Sequence, residues 1–358
     1  MMFAVLRRIL RALIGLPRPL RRLLAGPTVS RDGQVLDIDV QLVIRMLGLI
    51  AGGEEPSLVE QRRATDRAAG LAWSATPGVA TLPVRLPVPA GPGRDEPGTL
   101  DARLYTPAEV NGHPAPLLVH FHGGGFALGS IASSEPLCRV LANQASVRVL
   151  SVEYRLAPEN PFPAGLADAA AALHHVLTHR DEFHATTVAV GGDSAGANLA
   201  LTAAHQLARH RDETAAFVLA LYPVTDAGRA GGSRELFAEG FGLRTVDIEV
   251  FERYYLPDGI EPIRPTGLLE VDDLAIMPPA YISTAGFDPL RDEGEELVAA
   301  LRAVDVPVVA RRFPGLIHGY AGMAGVVPTA RDAVLDAASA LRAGLALTTE
   351  RESAVRGT

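Results

Sequence analysis

The chain has 358 residues, enough for one large α/β domain with an appendage or for two medium domains. Hydrophobic residues make up 48%, so a sizeable core can be buried. The net charge of −8 argues against nucleic-acid binding, which needs a concentrated basic surface. Every one of the 33 basic residues is an arginine. The single cysteine, Cys138, permits no intrachain disulfide and sits in an apolar helical stretch, so it reads as a buried structural thiol. There is no CxxC, no HExxH and no cluster of histidines and carboxylates at ligand spacing, so no metal site is expected.

In chain order, residues 1 to about 75 read as mainly helical. Apolar side chains recur near the helical period at Phe3, Leu6, Leu10 and Leu13, and again at Val40, Val43, Leu47 and Ile50. The first stretch is interrupted by Arg7, Arg8 and Arg11. That order is wrong for a signal peptide, no uncharged apolar run of spanning length follows, and the default location is the cytoplasm. Arg7, Arg11 and Arg18 gather on a second face of this segment. Its apolar face is expected to roof a pocket as part of a cap. The rival is a weak contact with a membrane surface.

Pro77 to Gly98 is rich in Pro and Gly and holds a β-like run, Val79 to Val88. With the alternating Thr99 to Tyr105 it forms an antiparallel lead-in hairpin. From Pro116 the texture becomes strand, turn, helix, repeated. Leu117–Phe121 is an apolar run, as a buried parallel strand should be, and Val147–Val152, Thr187–Val190, Phe217–Leu221, Tyr281–Ala285 and Val306–Phe313 read as the strands that follow it. Helices are expected over 165–178, 195–209, 291–304 and 329–345. The fold class is therefore α/β, a mostly parallel sheet covered on both faces. Asp226 to Met277 breaks the alternation and is too long for a loop. The expected organisation is an α/β core over 76–225 and 278–347, a cap insertion at 226–277, an N-terminal helical cap segment at 1–75, and a frayed tail at 348–358.

Chemistry concentrates in three places. Gly192-Asp193-Ser194-Ala195-Gly196 fits G-x-S-x-G between a β run and a helix, the strained turn that exposes a nucleophilic serine at a helix N-terminus. Next, His122-Gly123-Gly124-Gly125-Phe126 follows a buried strand. Glycines let backbone N–H groups approach an oxyanion, and those of Gly123, Gly124 and Ala195 are assigned to it. His122 itself reads as structural. A serine needs a base, and the base an orienting acid, in the chain order Ser, acid, His. Of the histidines after Ser194, His205 and His210 lie on or just past the following helix, facing solvent or a neighbouring helix, whereas His318 lies after a strand. Asp288 is the first carboxylate beyond the strand Tyr281–Ala285. Asp292 and Glu293 fall in a first helical turn, where acids complement the helix dipole. The catalytic set is Ser194, Asp288 and His318.

Together these residues make the chain resemble the hormone-sensitive-lipase family of esterases, bacterial family IV. The match rests on His122–Phe126, Tyr154-Arg155-Leu156-Ala157-Pro158-Glu159, Pro161-Phe162-Pro163-Ala164, Gly192–Gly196 with Asn198, Tyr222-Pro223-Val224-Thr225-Asp226, Asp288–Gly294 and His318-Gly319. It covers roughly residues 79 to 345. The resemblance implies an α/β-hydrolase fold, a helical cap, hydrolysis of small-molecule esters with short to medium acyl chains, and no cofactor. Ala197 departs from the family, which usually has a glycine there. Tyr154, Arg155 and Glu159 are expected to brace the loop under the site, and Trp73 to pack between cap and core. Rival readings are a non-catalytic ligand receptor on the same fold, which the presence of His318 opposes, and an amidase, a lactonase or a true lipase. A homodimer stays open.

Overall fold

The structure, a computed structural model, describes residues 2–50, 56–72, 76–210, 214–226, 228–256 and 267–356. Trp73 lies outside the described residues. Eight strands form one sheet: β3 (Val79–Val88), β4 (Gly98–Pro107), β5 (Ala115–Phe121), β6 (Arg148–Val152), β7 (Ala185–Asp193), β8 (Phe217–Leu221), β9 (Ala280–Phe287) and β10 (Val308–Ile317). Their spatial order is β10-β9-β8-β7-β5-β6-β4-β3. The six strands from β10 to β6 run parallel, and β4 and β3 extend the sheet antiparallel. The apolar runs at β6, β8 and β9 are buried along their whole length, as strands covered on both faces must be.

Two apolar layers sandwich the sheet. One holds α6 (Ala164–Thr178), α7 (Ala195–His210) and α10 (Arg291–Ala303). The other holds α5 (Ile131–Ala145) and α11 (Pro328–Arg356). Six of the twelve buried residues of α7 are alanine or glycine, and the helix packs on β7 and α6. Cys138 is buried in the second layer, and burial pushes its thiol up to about 12. The chain changes direction along the sheet at β5, between β6 and β7. A crevice therefore opens at the carboxyl ends of β5 and β7, where open α/β sheets place ligands.

The N-terminal segment holds α1 (Met2–Ile14), α2 (Arg18–Ala25), α3 (Ile38–Ile50) and α4 (Leu58–Ala72), and also a hairpin absent from the helical expectation, β1 (Ser30–Arg31) with β2 (Gln34–Val35). Its turn is Asp32-Gly33, both at positive φ (53° and 70°), the pattern of a tight two-residue hairpin. Leu6 and Leu10 of α1 join the second apolar layer. In 226–277 the helices are α8 (Ser233–Leu236) and α9 (Thr245–Tyr255), followed by single 3-10 turns at Leu268–Glu270 and Leu274–Ile276. The expectation of a frayed tail from Thr348 is corrected: α11 runs on to Arg356, with no glycine or proline between Thr348 and Gly357 to end it.

Candidate active site

Ser194 sits at the turn from β7 into α7 with φ at +53°, a left-handed strain that aims its side chain over the sheet's edge. Glycine on either side permits the turn. A Cβ on Gly196 would lie 2.1 Å from the Phe121 carbonyl oxygen, and one on Gly192 would lie 2.5 Å from Gly196 itself. The serine N–H donates to the Leu221 carbonyl at 2.9 Å, which ties the turn to β8.

The structure brings Ser194, His318 and Asp288 together. His318 Nε2 lies 2.9 Å from Ser194 Oγ, and Nδ1 lies 2.8 Å from Asp288 Oδ2. Asp288 is buried, and its other oxygen accepts from the Leu290 N–H at 2.8 Å. Asp292 points elsewhere. It accepts from the Ser233 N–H at 2.8 Å and so holds the start of α8. His205 differs from expectation: it is buried, with Nε2 2.6 Å from Asp273 Oδ1, just before the chain returns to β9.

The glycine loop departs from its expected geometry in one respect. The N–H of Gly123 is taken by Asp193 Oδ1 at 3.0 Å, so it is not free to meet an oxyanion. The physical reason is local. Asp193 immediately precedes Ser194, and its carboxylate turns towards the facing loop so closely that a Cβ on Gly123 would lie 2.5 Å from Oδ2. Gly124 and Gly125, by contrast, both line the cavity beside Ser194. They adopt φ of +125° and +59° and donate no backbone hydrogen bond among the described residues. Burial raises the Asp193 carboxyl to about 6, against the pull of the Gly123 N–H and of His318. His122 is buried, its Nδ1 lies 2.9 Å from the Gly123 carbonyl, and its ring stacks on Tyr154 at 4.4 Å. Burial lowers its imidazole to about 4.

The bracing residues divide their work. Tyr154 Oη donates to the His122 carbonyl at 2.8 Å. Arg155 is held by the buried Asp168 and reaches the carbonyls of Pro92 and Gly93. Glu159 takes the Arg62 guanidinium of α4 with both oxygens, while Arg62 also donates to the Ala127 carbonyl beyond the glycine loop.

Two cavities meet at His318, of which the first also touches Ser194 and the second Asp193. The first, of about 220 Å³, is mostly apolar and is walled by Leu243, Ile248, Phe251 and Tyr255 of the insertion, with Phe126 and Leu290 from the core. The second is lined by Leu47 of α3 and by Thr65, Ala68 and Ala69 of α4. The expectation that α1 roofs the pocket does not match this geometry. Leu6 and Leu10 pack into the core layer instead, and α3 and α4 reach the site.

The β1–β2 hairpin was missed in the sequence, although Asp32-Gly33 is a hairpin signal. Gln34 Nε2 donates to the Gly286 carbonyl, two residues before Asp288. The Asp37 N–H donates to the Gly315 carbonyl, three residues before His318. Arg31 reaches the Leu236 carbonyl in the insertion, and Asp32 pairs with Arg291 at 2.8 Å.

With this geometry in place, the comparisons with known proteins fall into line. Residues 118–322 match a family described as alpha/beta hydrolase fold. The chain belongs to this family, in its hormone-sensitive-lipase branch. It is 38% identical to the carboxylic ester hydrolase LipN of Mycobacterium tuberculosis, over 92% of this chain and 89% of that protein. It is 30% identical to an acetyl esterase of Salmonella dublin, over 74% and 81%. Among solved structures, a thermostable esterase from Pseudomonas putida superimposes with a TM-score of 0.80 at 27% identity, covering 88% of this chain and 99% of that one. A hyperthermophilic esterase from the archaeon Pyrobaculum calidifontis gives 0.77 at 30% identity, covering 86% and 98%.

Proposed function

We propose that the protein is a serine carboxylesterase that hydrolyses short- to medium-chain acyl esters through an acyl-enzyme intermediate. The observation that carries this reading is the unbroken relay from Ser194 Oγ through His318 to Asp288, at 2.9 and 2.8 Å, opening on an apolar cavity. In this reading His318 Nε2 takes the Ser194 proton as Oγ attacks the ester carbonyl. Asp288 holds the ring so that Nδ1–H points at its carboxylate and stabilises the imidazolium that forms. The negative oxygen of the tetrahedral intermediate meets the N–H groups of Gly124, Gly125 and Ala195 at the N-terminus of α7. Gly123 is replaced by Gly125 in this set because its own N–H is spent on Asp193. His318 then returns the proton to the leaving alcohol, and water repeats the sequence on the acyl-enzyme.

The first cavity, at about 220 Å³, lies below the roughly 300–1,000 Å³ of pockets for drug-sized ligands, which supports small acyl groups. In the same proposal, 226–277 and the N-terminal segment act as the cap over a core of 76–225 and 278–347. A homodimer, a cytoplasmic location and weak membrane contact through the N-terminal helix are finer parts of it. Among the described residues no helix is long and apolar enough to cross a membrane.

The test is a ladder of p-nitrophenyl esters from acetate to palmitate with an anilide control, run on wild type and Ser194→Ala. Wild type should favour the short end and ignore the anilide, and the variant should stay folded and inactive. Turnover surviving in Ser194→Ala would sink the nucleophile; equal rates on the anilide would make the protein an amidase.

A further inference from the structure

Charge is distributed along this chain with a sharp break. Seven of its 33 basic residues and none of its 41 acidic residues lie in the first 31 positions, so a segment at +7 is joined to a body at −15. The same segment exposes its apolar side chains. On α1, Leu6 and Leu10 are buried, but Val5 and Ile9, also one turn apart, stand 49% and 45% exposed. On α2 the usual arrangement is reversed. Arg21 and Arg22 turn inward, to Asp39 at 2.5 Å and to Gln41 at 3.0 Å, while Leu20, Leu23 and Leu24 face outward, with Leu23 77% exposed. A helix that turns two arginines towards the body and its leucines outward costs free energy in water unless something covers it. Arg8 and Arg18 are exposed beside these side chains and carry no acidic partner among the described residues.

We propose that α1 and α2 form an interfacial anchor that docks the protein on an anionic lipid bilayer. The chemistry of the surface selects this occupant. Exposed leucine, isoleucine and valine enter the acyl boundary, while arginines meet lipid phosphates and the negative surface potential. A nucleic acid would use the arginines but leave the leucines in water. A second copy meeting through the same face would set +7 against +7. The acidic body is repelled by the same bilayer, so docking also fixes an orientation with the arm towards the lipid. The arm then lies beside the active site, because α2 packs on α3 and α1 on α4. Those are the two helices that line the second cavity, and Leu47 is both exposed and part of that lining. Resting on the carboxylesterase reading, this places the mouth of the second cavity where a lipid-borne ester can enter.

The full chain is tested by co-sedimentation with large unilamellar vesicles, of phosphatidylcholine alone and of phosphatidylcholine with phosphatidylglycerol. Leu20→Ser/Leu23→Ser and Arg8→Glu/Arg18→Glu are compared with wild type. All four side chains are exposed and outside the catalytic set, so turnover of a water-soluble acetate ester should stay at the wild-type level. Wild type should bind the mixed vesicles at least about tenfold more strongly than the neutral ones, and each double variant should lose that margin. Ser194→Ala should bind as wild type, so docking is read independently of the esterase assignment. Absent binding, equal binding to both vesicles, or binding kept by the leucine double variant would overturn the proposal. So would light scattering that shows a wild-type dimer which the leucine double variant splits, since the face would then belong to a second copy.

Discussion

Removing the guanidinium of Arg234 should destabilise the fold more than any change at an exposed ion pair. Arg234 is 3% exposed and lies between two carboxylates, Glu293 of α10 at 3.0 Å and Glu252 of α9 at 2.9 Å. Glu293 is fully buried and also accepts the N–H groups of Thr225, at 2.8 Å, and Asp226, at 3.3 Å. The cluster thus pins the insertion to the core beside the acid loop. Arg234→Met leaves Glu293 as a buried, uncompensated charge, which costs about 3–5 kcal/mol. For a chain of this size that lowers Tm by on the order of 4–7 °C. Burial, opposed by Arg234 and by the two backbone donors, raises the Glu293 carboxyl above its ordinary value of 4.5. Its folded value exceeds its unfolded value, so the native state binds the extra proton between them. The stability this group contributes is fully present below about 4.5 and is lost as pH rises through the raised value. Without Arg234 that value climbs further, so the deficit of Arg234→Met should be largest in alkaline buffer and narrow on acidification towards 4.5. Arg234→Met/Glu293→Gln should regain at least half of the loss, because a neutral amide still accepts from Thr225. Thermal unfolding followed by circular dichroism across pH measures all of this. A single variant within about 1 kcal/mol of wild type, or a double variant weaker than the single, would refute the reasoning.

Asp193→Ala should lower kcat about tenfold or more with little change in KM, since it releases Gly123 and loosens the loop that carries the oxyanion donors, whereas Asp193→Asn keeps an acceptor and should retain most activity; steady-state kinetics on a short ester separate the two. Gly125→Ala should reduce kcat/KM by about 10²-fold or more, because its Cβ would lie 2.5 Å from Phe251 at a residue with φ of +59°, while Gly125→Ala/Phe251→Ala should recover part of it. Asp288→Asn should cost on the order of 10²–10⁴ in kcat and Asp292→Asn far less; the reverse ranking would move the acid to Asp292.

The parallel sheet was legible because short, largely apolar runs such as Phe217–Leu221 alternate with helical stretches, a rhythm that also placed β10 despite its Arg311 and Arg312. Phe217–Leu221 was read to the residue. The meeting of Ser194, His318 and Asp288 was legible for a related reason: in a parallel sheet all three follow the carboxyl ends of strands. What escaped depends on partners far away in sequence. Gly123, Gly124 and Gly125 are equivalent as letters, and only the Asp193 carboxylate, 70 residues on, decides which N–H is occupied. His205 was expected to face solvent or a neighbouring helix because Asp273, which meets it, belongs to a stretch with no regular pattern. The β1–β2 strands are two residues each, too short for any periodicity, so the signal lay in Asp32-Gly33 alone.

The charges around the acid loop have a common consequence for Asp288. Arg291 lies three residues further on and is buried, close enough in sequence to compete with His318 for that carboxylate. It is drawn off instead by Asp32 and Asp292, each at 2.8 Å, while its guanidinium rests over the Phe237 ring at 5.1 Å. Asp32 belongs to the N-terminal hairpin, and Asp292 also holds the first turn of the insertion. The N-terminal hairpin thus supplies one of the two carboxylates that keep this cation away from the acid, and 226–277 braces the other, which belongs to α10. Asp288 is left with one backbone N–H and the His318 ring, so its charge acts on the imidazole that must become cationic when Ser194 gives up its proton. A core carrying the same three residues without the hairpin and the insertion would keep their order along the chain but hold Arg291 by Asp292 alone, a weaker isolation of the acid.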